Sequence, residues 1–540
     1  MDKKTIVILF FIALLAFGLR FFLLTSNPPS LNWDEVSHGY NAYSILKTGM
    51  DEWGKVFPIA NFRAYGDYPL PLNLYLTIPF IAIFGLTEFA IRLPHVILGV
   101  LMIFSTYFLA LGLTKRKKVA FISAFLVALS PWTLFTSRFV LQSNLAVFLL
   151  TTALAFFFNR DKGKTFTPIS LILLGLSLFA YNSTRIFTPL ILLSLLLIYK
   201  KEILNRLNVL IILVFIVPLP FILRSPEARA RSYTVSIIDE GAVARIIEMR
   251  QNSKLPTQVS RFIYNRPTYF LGTFIKNYVG YFSPNFLFLK GGTQYQFSVP
   301  NQGLISWVNL PFFYIGLFWL LSSAFKKDKN WRFVLFWLLL APIPAAITNE
   351  PFAVLRSSAL VPLPLILSAI GVERVLKKNF LLYLYIFVSL LLLGNYLLKY
   401  FGEYRINYSW AWQYGYKEAV FYVKENYDDY DKIVVTKKYG EPHEYFLFFL
   451  SWNSVKYKTD PELIRFQQSN WFWVDRFDKF YFVNDWQVKQ MKLESGGDVD
   501  CKESTCLLVT SPGNVSAGWT KLETINFLDG KPSFEIYNNK

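Results

Sequence analysis

Apolar runs succeed one another from the N-terminus to about residue 398, separated by short polar stretches, and the pattern then changes. Runs at 5–24, 89–113, 119–135, 139–158, 165–180, 186–199, 207–223, 303–324, 331–348, 357–376 and 379–398 have the character of membrane-spanning helices. A further run at 71–85, "PLNLYLTIPFIAIFG", is short, opens on proline and closes on glycine, which predicts an interfacial or re-entrant helix. The basic clusters decide the count. "KRKK" at Lys115–Lys118, "RDKGK" at Arg160–Lys164, "KKEILNR" at Lys200–Arg206, "KKDK" at Lys326–Lys329 and the pair Lys377–Lys378 all fall on one side when 71–85 does not cross. The positive-inside rule makes that side the cytoplasm. The prediction is a polytopic α-helical membrane protein with about eleven transmembrane helices, an uncleaved first anchor and a cytoplasmic N-terminus, multi-pass in the plasma membrane.

On that count an outer loop at 25–88, a long outer loop at 224–302 and everything after about 399 are extracytoplasmic. The tail changes its period. "YKEAVFYVKENY" and "EPHEYFLFFLSW" have helical spacing, whereas "DKIVVT", "FDKFYFVND" and "TCLLVTSP" read as strands. In "LETINFLDGKPSFEIYN" an Asp-Gly turn separates two strand-like runs, a hairpin signal. The expected division is therefore a transmembrane domain over 1–398 and a soluble α/β domain over 399–540. Cys501 and Cys506 are the only cysteines; outside the membrane they are compatible with a local disulfide, which the sequence leaves open.

Composition sharpens the class. Only 17% of the 540 residues are charged and 54% are hydrophobic, against about 25% charged in soluble proteins. The net charge of +19 lies largely in the loop clusters, so it follows from topology and implies no nucleic-acid partner. With three histidines, a His-rich zinc centre is not expected.

Ionisable residues gather on the outer face of this topology. Asp34, Glu35, His38, Asp51, Glu52, Arg63 and Asp67 lie in the first outer loop, and Glu88 and Arg92 open the next span. Arg138, Arg185 and Arg356 fall in short outer loops. Charges are expensive near a bilayer, so a set converging at one interface points to a site. The chemistry it suits is transfer of a group from a membrane-borne phosphate. A carboxylate takes the proton of an acceptor hydroxyl, and arginines hold the phosphate through bidentate bonds. Taken singly, the Asp-Glu pair also fits an exposed loop, the arginines fit interfacial snorkelling, and Asp51 and Glu52 fit a turn.

In order, "WDE" past the first span, "YNAYSILKTGMDEWGK", "GDYPLPLNLYL" and "EFAIRLPHVILG" resemble the GT-C glycosyltransferases, within them the dolichyl-phosphate-mannose–protein mannosyltransferase-like group, related to the aminoarabinose transferases of lipid A. "SPW…SR" and "NEPFAVLRSSALVPLPLIL" resemble outer-loop segments of the same group. The resemblance implies a GT-C fold and transfer of a sugar, with inversion, from a polyprenyl-phosphate-linked donor to a hydroxyl of a protein, lipid or cell-envelope glycan. It implies that Asp34 is the catalytic acidic residue, with Glu35 completing the pair and Asp67 the acidic residue before the "PLP" segment. His38, Arg92, Arg138, Arg185 and Arg356 become substrate-binding residues. Tyr68 stands where many relatives carry lysine, and Gln142 and Asn144 flank the place where many carry an acidic residue. The group is regarded as needing no divalent metal, so no metal ligand is assigned. A lipid-linked-sugar transporter and a catalytically inactive scaffold are the alternative classes; mid-membrane polar residues or a duplicated half would favour the first.

Overall fold

The apolar runs fold as helices whose ends and breaks fall at prolines, glycines and capping residues. The computed structural model describes residues 2–540 except 240, 327 and 470, with the backbone alone at 229–233. Among the described residues, 6 helices are long and apolar enough to cross a membrane: Lys3–Phe21, Glu88–Thr114, Arg206–Leu223, Trp307–Phe325, Ser358–Val375 and Asn379–Asn407. Leu72–Phe84, Gln142–Phe158 and Phe166–Ser177 are shorter apolar helices. The chain is an integral membrane protein by these helices. Several expected spans are interrupted. The run 119–135 forms Lys117–Leu129 and then Pro131–Thr136, and the run 331–348 forms Lys329–Leu340 and then Ile343–Ala346. Pro131 and Pro342 begin the second pieces, because proline cannot donate to the preceding turn. The 224–302 segment is largely helical, carrying Pro226–Val235, Ala242–Gln251, Thr257–Ile263 and Arg266–Gly280.

The chain divides into two units, 1–22 with 95–137 and 141–397, and 23–94 with 138–140 and 398–540. The first outer loop thus groups with the C-terminal region, whereas the sequence assigned it to the membrane part.

The membrane-helix unit is built around one apolar core. Its closest crossing joins Leu310–Phe325 to Leu363–Val375. A Cβ on Gly316 would lie 2.0 Å from the Leu367 carbonyl oxygen, and one on Gly371 would lie 1.9 Å from that of Phe312. Glycine there lets two backbones touch, as at small-residue membrane interfaces.

The second unit is centred on a seven-stranded sheet: β1 (Lys432–Thr436), β2 (Ile464–Gln468), β3 (Trp471–Phe477), β4 (Phe480–Val483), β5 (Cys506–Thr510), β6 (Thr520–Asn526) and β7 (Pro532–Asn538). The order is β2-β3-β4-β1-β5-β7-β6. Central β1 runs parallel to β4 and β5, and the outer pairs are antiparallel. Alternate residues serve opposite cores. Ile433, Val435, Leu507 and Val509 enter the larger core, while Val434, Leu508 and Tyr537 enter the smaller one. Burial on both faces explains why "IVV" and "LLV" read as unbroken apolar runs. Cys501 and Cys506 form a disulfide beside β5.

The helix Trp33–Thr48 joins the larger core. Asn32 caps it: its side chain accepts from the Glu35 amide while Glu35 reaches back to the Asn32 amide, and Gly49 ends it at φ 71°. A Cβ on Gly39 would come within 2.4 Å of Phe448, so glycine admits the Pro442–Phe449 helix against this one.

Candidate active site

Two neighbouring carboxylates on the first turn of Trp33–Thr48 meet opposite surroundings. Asp34 is exposed, and Glu35 is fully buried. The capping box sets this geometry, because it turns Glu35 inward over the helix start and leaves Asp34, about 100° away around the helix, facing out.

Glu35 is met by Arg92. Nε donates to Oε1 at 2.9 Å and Nη2 to Oε2 at 2.8 Å, with both side chains 0% exposed. Oε1 also accepts from the Val140 amide at 3.1 Å. The rest of the guanidinium serves backbone. Nη1 donates to the carbonyls of Leu24 and Pro28, each at 3.1 Å, and Nη2 to that of Ser30 at 2.6 Å. All five N–H groups of Arg92 are engaged.

Arg138 attends to the same stretch of chain. It is buried and donates to the carbonyls of Asn27 at 2.8 Å and Leu23 at 3.3 Å, and to Tyr400 Oη at 3.2 Å. Its guanidinium also lies 5.0 Å from the Phe401 ring centre. Arg405 Nε adds a bond to the Ser26 carbonyl at 3.0 Å. The reason is legible in "LLTSNPPS". Prolines at 28 and 29 preclude a helical or sheet ladder, so buried carbonyls need side-chain donors. Three arginines supply them. Arg92 thus spends every N–H on the protein itself, and both oxygens of Glu35 are bonded in a buried site.

His38, one turn further along the helix, is also buried. Its Nε2 lies 3.0 Å from Thr77 Oγ1, which donates to the Asn73 carbonyl at 2.9 Å. Burial lowers the imidazole pKa to about 3, so it is neutral and joins Trp33–Thr48 to Leu72–Phe84. In this structure its contact is a helix-to-helix bond.

Around Asp34 the side chains are aromatic. Tyr65 donates its hydroxyl to Asp34. Tyr65 lies 6.3 Å from Trp33 and 5.4 Å from Trp471, ring centre to ring centre. The Phe472 amide donates to the Tyr65 carbonyl at 2.6 Å, which ties this wall to β3. Two glycines permit the approach. A Cβ on Gly66 would fall 1.9 Å from Trp471, and one on Gly440, at φ 120°, would fall 2.1 Å from Trp33. Asp67 follows on the same turn, half-buried, with Oδ1 accepting from the Tyr68 amide at 2.8 Å. Such a carboxylate among aromatic faces can take a hydroxyl proton while the rings hold a sugar. Tyr65 and Trp471 are absent from the sequence-based list. Trp471 carries no local signal, because it reaches Tyr65 from the far end of the chain.

Asp51 and Glu52 separate in role. Both are buried; Asp51 Oδ1 closes a turn, accepting from the amides of Trp53 at 3.0 Å and Lys55 at 2.8 Å, whereas Glu52 Oε1 lies 3.7 Å from Arg465.

Arg185 and Arg356 belong to the membrane-helix unit. Arg185 Nε donates to the Leu178 carbonyl at 3.2 Å, and Arg356 lies 3.2 Å from Glu350 and donates to Thr348 Oγ1 at 3.1 Å. Burial raises the Glu350 pKa, and Arg356 opposes the shift.

Residues 67–223 match the family model of dolichyl-phosphate-mannose-protein mannosyltransferase. No curated protein matches the sequence. Matching solved structures include the archaeal oligosaccharyltransferase AglB from Archaeoglobus fulgidus, in complex with an inhibitory peptide and a dolichol-phosphate. It is 15% identical over 83% of this chain and 63% of that one, with a TM-score of 0.49. ArnT from Cupriavidus metallidurans, bound to undecaprenyl phosphate, is 11% identical over 100% of this chain and 99% of that one, with a TM-score of 0.46. The S. cerevisiae protein O-mannosyltransferase Pmt1-Pmt2 complex, bound to the sugar donor, is 17% identical over 47% and 38%, with a TM-score of 0.32. The chain therefore spans less than two thirds of the length of the oligosaccharyltransferase. The family match places the likeness to the mannosyltransferases in residues 67–223, the stretch that opens at Asp67 and contains Arg92, Arg138 and Arg185.

Proposed function

We propose that the protein transfers a sugar from a polyprenyl-phosphate-linked donor to a hydroxyl group of a protein, lipid or cell-envelope glycan on the extracytoplasmic face. The N-terminus lies in the cytoplasm and the C-terminal region outside. The observation that carries this reading is the divergence of Asp34 and Glu35. One carboxylate is exposed among aromatic rings, on a helix that the other, with Arg92, holds in place.

In the proposed step Asp34 accepts the proton of the acceptor hydroxyl as its oxygen attacks the anomeric carbon. The new bond forms on the face opposite the phosphate, and the bond from the anomeric carbon to the phosphate oxygen breaks. The electron pair leaves with the lipid phosphate, and configuration inverts. Tyr65 orients the Asp34 carboxylate by donating to it, and Trp33 and Trp471 give the sugar an apolar face. Asp67 directs the donor sugar from the neighbouring turn. Arg185 and Arg356 hold the phosphate by charge-assisted bonds. Glu35, His38, Arg92 and Arg138 are positioning residues: they fix the helix and the segment that precedes it.

The test is release of lipid phosphate in liposomes from a panel of labelled polyprenyl-phosphate sugars, with cell-envelope extract as acceptor. Turnover with one donor, lost in Asp34→Asn, supports the reading. Equal turnover in both removes Asp34 as the base, and binding of a donor without turnover removes the transferase.

A further inference from the structure

Away from Asp34, the second unit buries a cluster of ionisable groups that the proposed transfer does not use. Glu52, Glu441, His443 and Glu444 are each at most 2% exposed. His443 and Glu444 stand at the start of Pro442–Phe449, with Glu441 as the residue before it. Glu52 comes from the loop after Trp33–Thr48. Its backbone is pinned on both sides: its amide donates to Asn41 Oδ1 at 2.9 Å, and its carbonyl accepts from Arg465 at 3.1 Å. The Glu52 carboxyl is thereby directed inward, facing Glu444 and His443.

The three donor atoms converge. His443 Nε2 is 3.9 Å from Glu52 Oε1 and 3.9 Å from Glu444 Oε1, and one ligand atom of each residue lies within 4.8 Å of the others. Four buried polar atoms in this small volume have no hydrogen-bond partner: Glu52 Oε2, Glu444 Oε2, Glu441 Oε2 and His443 Nδ1. Isolated unpaired groups of this kind are costly to bury, and here they are gathered at one point. Charge is also unbalanced. The carboxylates of Asp51, Glu52, Glu441 and Glu444 face Arg465, 3.7 Å from Glu52, and Lys458, which donates to the Asp51 carbonyl. Lys437 is already bound to buried Asp475. Lys55 faces Asp51 as a third base, so four acidic groups stand against three basic ones.

We propose that Glu52, His443 and Glu444 bind a divalent transition-metal cation, zinc being the best fit, which fastens the loop after Trp33–Thr48 to the Pro442–Phe449 helix. One imidazole with two carboxylates suits zinc, whereas calcium and magnesium take oxygen ligands. Bonds of about 2.0–2.1 Å place tetrahedral ligand atoms roughly 3.4 Å apart, so the side chains close by a few tenths of an ångström. The other face of the imidazole is equipped as a metal-bound histidine requires. Nδ1 lies 3.6 Å from Glu441 Oε2, and Glu441 is itself held by the Trp471 indole N–H. A carboxylate there accepts a hydrogen bond from Nδ1–H, which leaves the Nε2 lone pair for the metal. The metal ligands are distinct from Asp34, to whose aromatic wall the site is joined through the Glu441–Trp471 bond, and the role of the metal is structural.

The test uses full-length, tag-free protein in detergent. After chelation and dialysis, zinc or cobalt is added back, and bound metal is measured by elemental analysis and by the visible absorption of tetrahedral cobalt. About one metal per chain is expected, with loss in His443→Ala and Glu444→Gln, and a roughly 10- to 100-fold weaker affinity in Glu441→Gln. Asp34→Asn binds metal as wild type does, which keeps this result independent of the proposed transfer. The wild-type titration stands even if a variant fails to fold. No stoichiometric uptake by wild type means that protons meet the buried charge, and it overturns the proposal. Undiminished uptake by His443→Ala overturns it as well.

Discussion

The Arg92 guanidinium and the Glu35 carboxylate form two parallel bonds, 2.9 and 2.8 Å long, with neither side chain reaching solvent. Arg92 also serves three carbonyls of the segment ahead of Asp34. Removing the carboxylate charge leaves a buried guanidinium uncompensated, which costs about 3–5 kcal/mol. Glu35→Gln is expected to lower the melting temperature in detergent markedly. Arg92→Lys fares no better, because an ammonium has three donors where five are used. A melting temperature unchanged in both would mean that the pair does not hold the helix.

Asp34 should behave in the opposite way. It is exposed and lies outside the cap, so Asp34→Asn is expected to change stability by less than about 0.5 kcal/mol. Turnover should fall about 10²–10⁴-fold, the contribution of a general base. Tyr65→Phe, which removes the donor to Asp34 and keeps the ring, should lower kcat more than it raises KM. Melting curves beside lipid-phosphate release separate the two neighbours: Glu35 variants lose both properties, and Asp34 variants lose one.

Much of this arrangement was legible in the sequence, and the limits have physical causes. The Asp529-Gly530 turn pointed to a hairpin, and β6 and β7 pair antiparallel around it. Hairpin β2–β3 lies outside the expectation, because aromatic residues on both faces of Trp471–Phe477 mask the two-residue period. Apolar runs mark where helices lie but not where prolines break them, so about eleven spans were expected where, among the described residues, 6 helices are long and apolar enough to cross a membrane. Charge at Arg92 and Arg138 was plain, yet five of their bonds go to backbone carbonyls, which no residue type announces. The convergence of Glu52 with His443 depends on folding segments hundreds of residues apart.

The aromatic wall gives a prediction at two glycines. Gly66→Ala puts a methyl group 1.9 Å from Trp471, which has to move. The indole is on the rim of the site, so the expected effect is a higher donor KM with little loss of stability. Gly440→Ala combines a collision with Trp33 and a positive φ, and the backbone part alone costs about 1 kcal/mol. Its melting temperature should fall more than that of Gly66→Ala. The reverse order would mean that Trp33 yields more easily than Trp471.

His38 predicts a pH dependence whose sign can be worked out. Burial lowers its pKa to about 3, while the unfolded chain keeps the ordinary value of 6.5. Between those values the unfolded state binds a proton that the folded state refuses, so stability falls as pH falls. The stabilising balance is complete above the unfolded value and declines by roughly 1 kcal/mol per pH unit below it. The groups bonded to the ring, Thr77 and Asn73, do not titrate. His38→Gln keeps a donor for Thr77 and removes the titration. From about pH 7.5 to about pH 5.5, wild type should lose roughly 1 kcal/mol more than the variant, read from denaturant or thermal melts in the same detergent. Parallel curves for the two proteins would show that the imidazole takes up its proton without leaving Thr77, and that the contact between the two helices survives a charged ring.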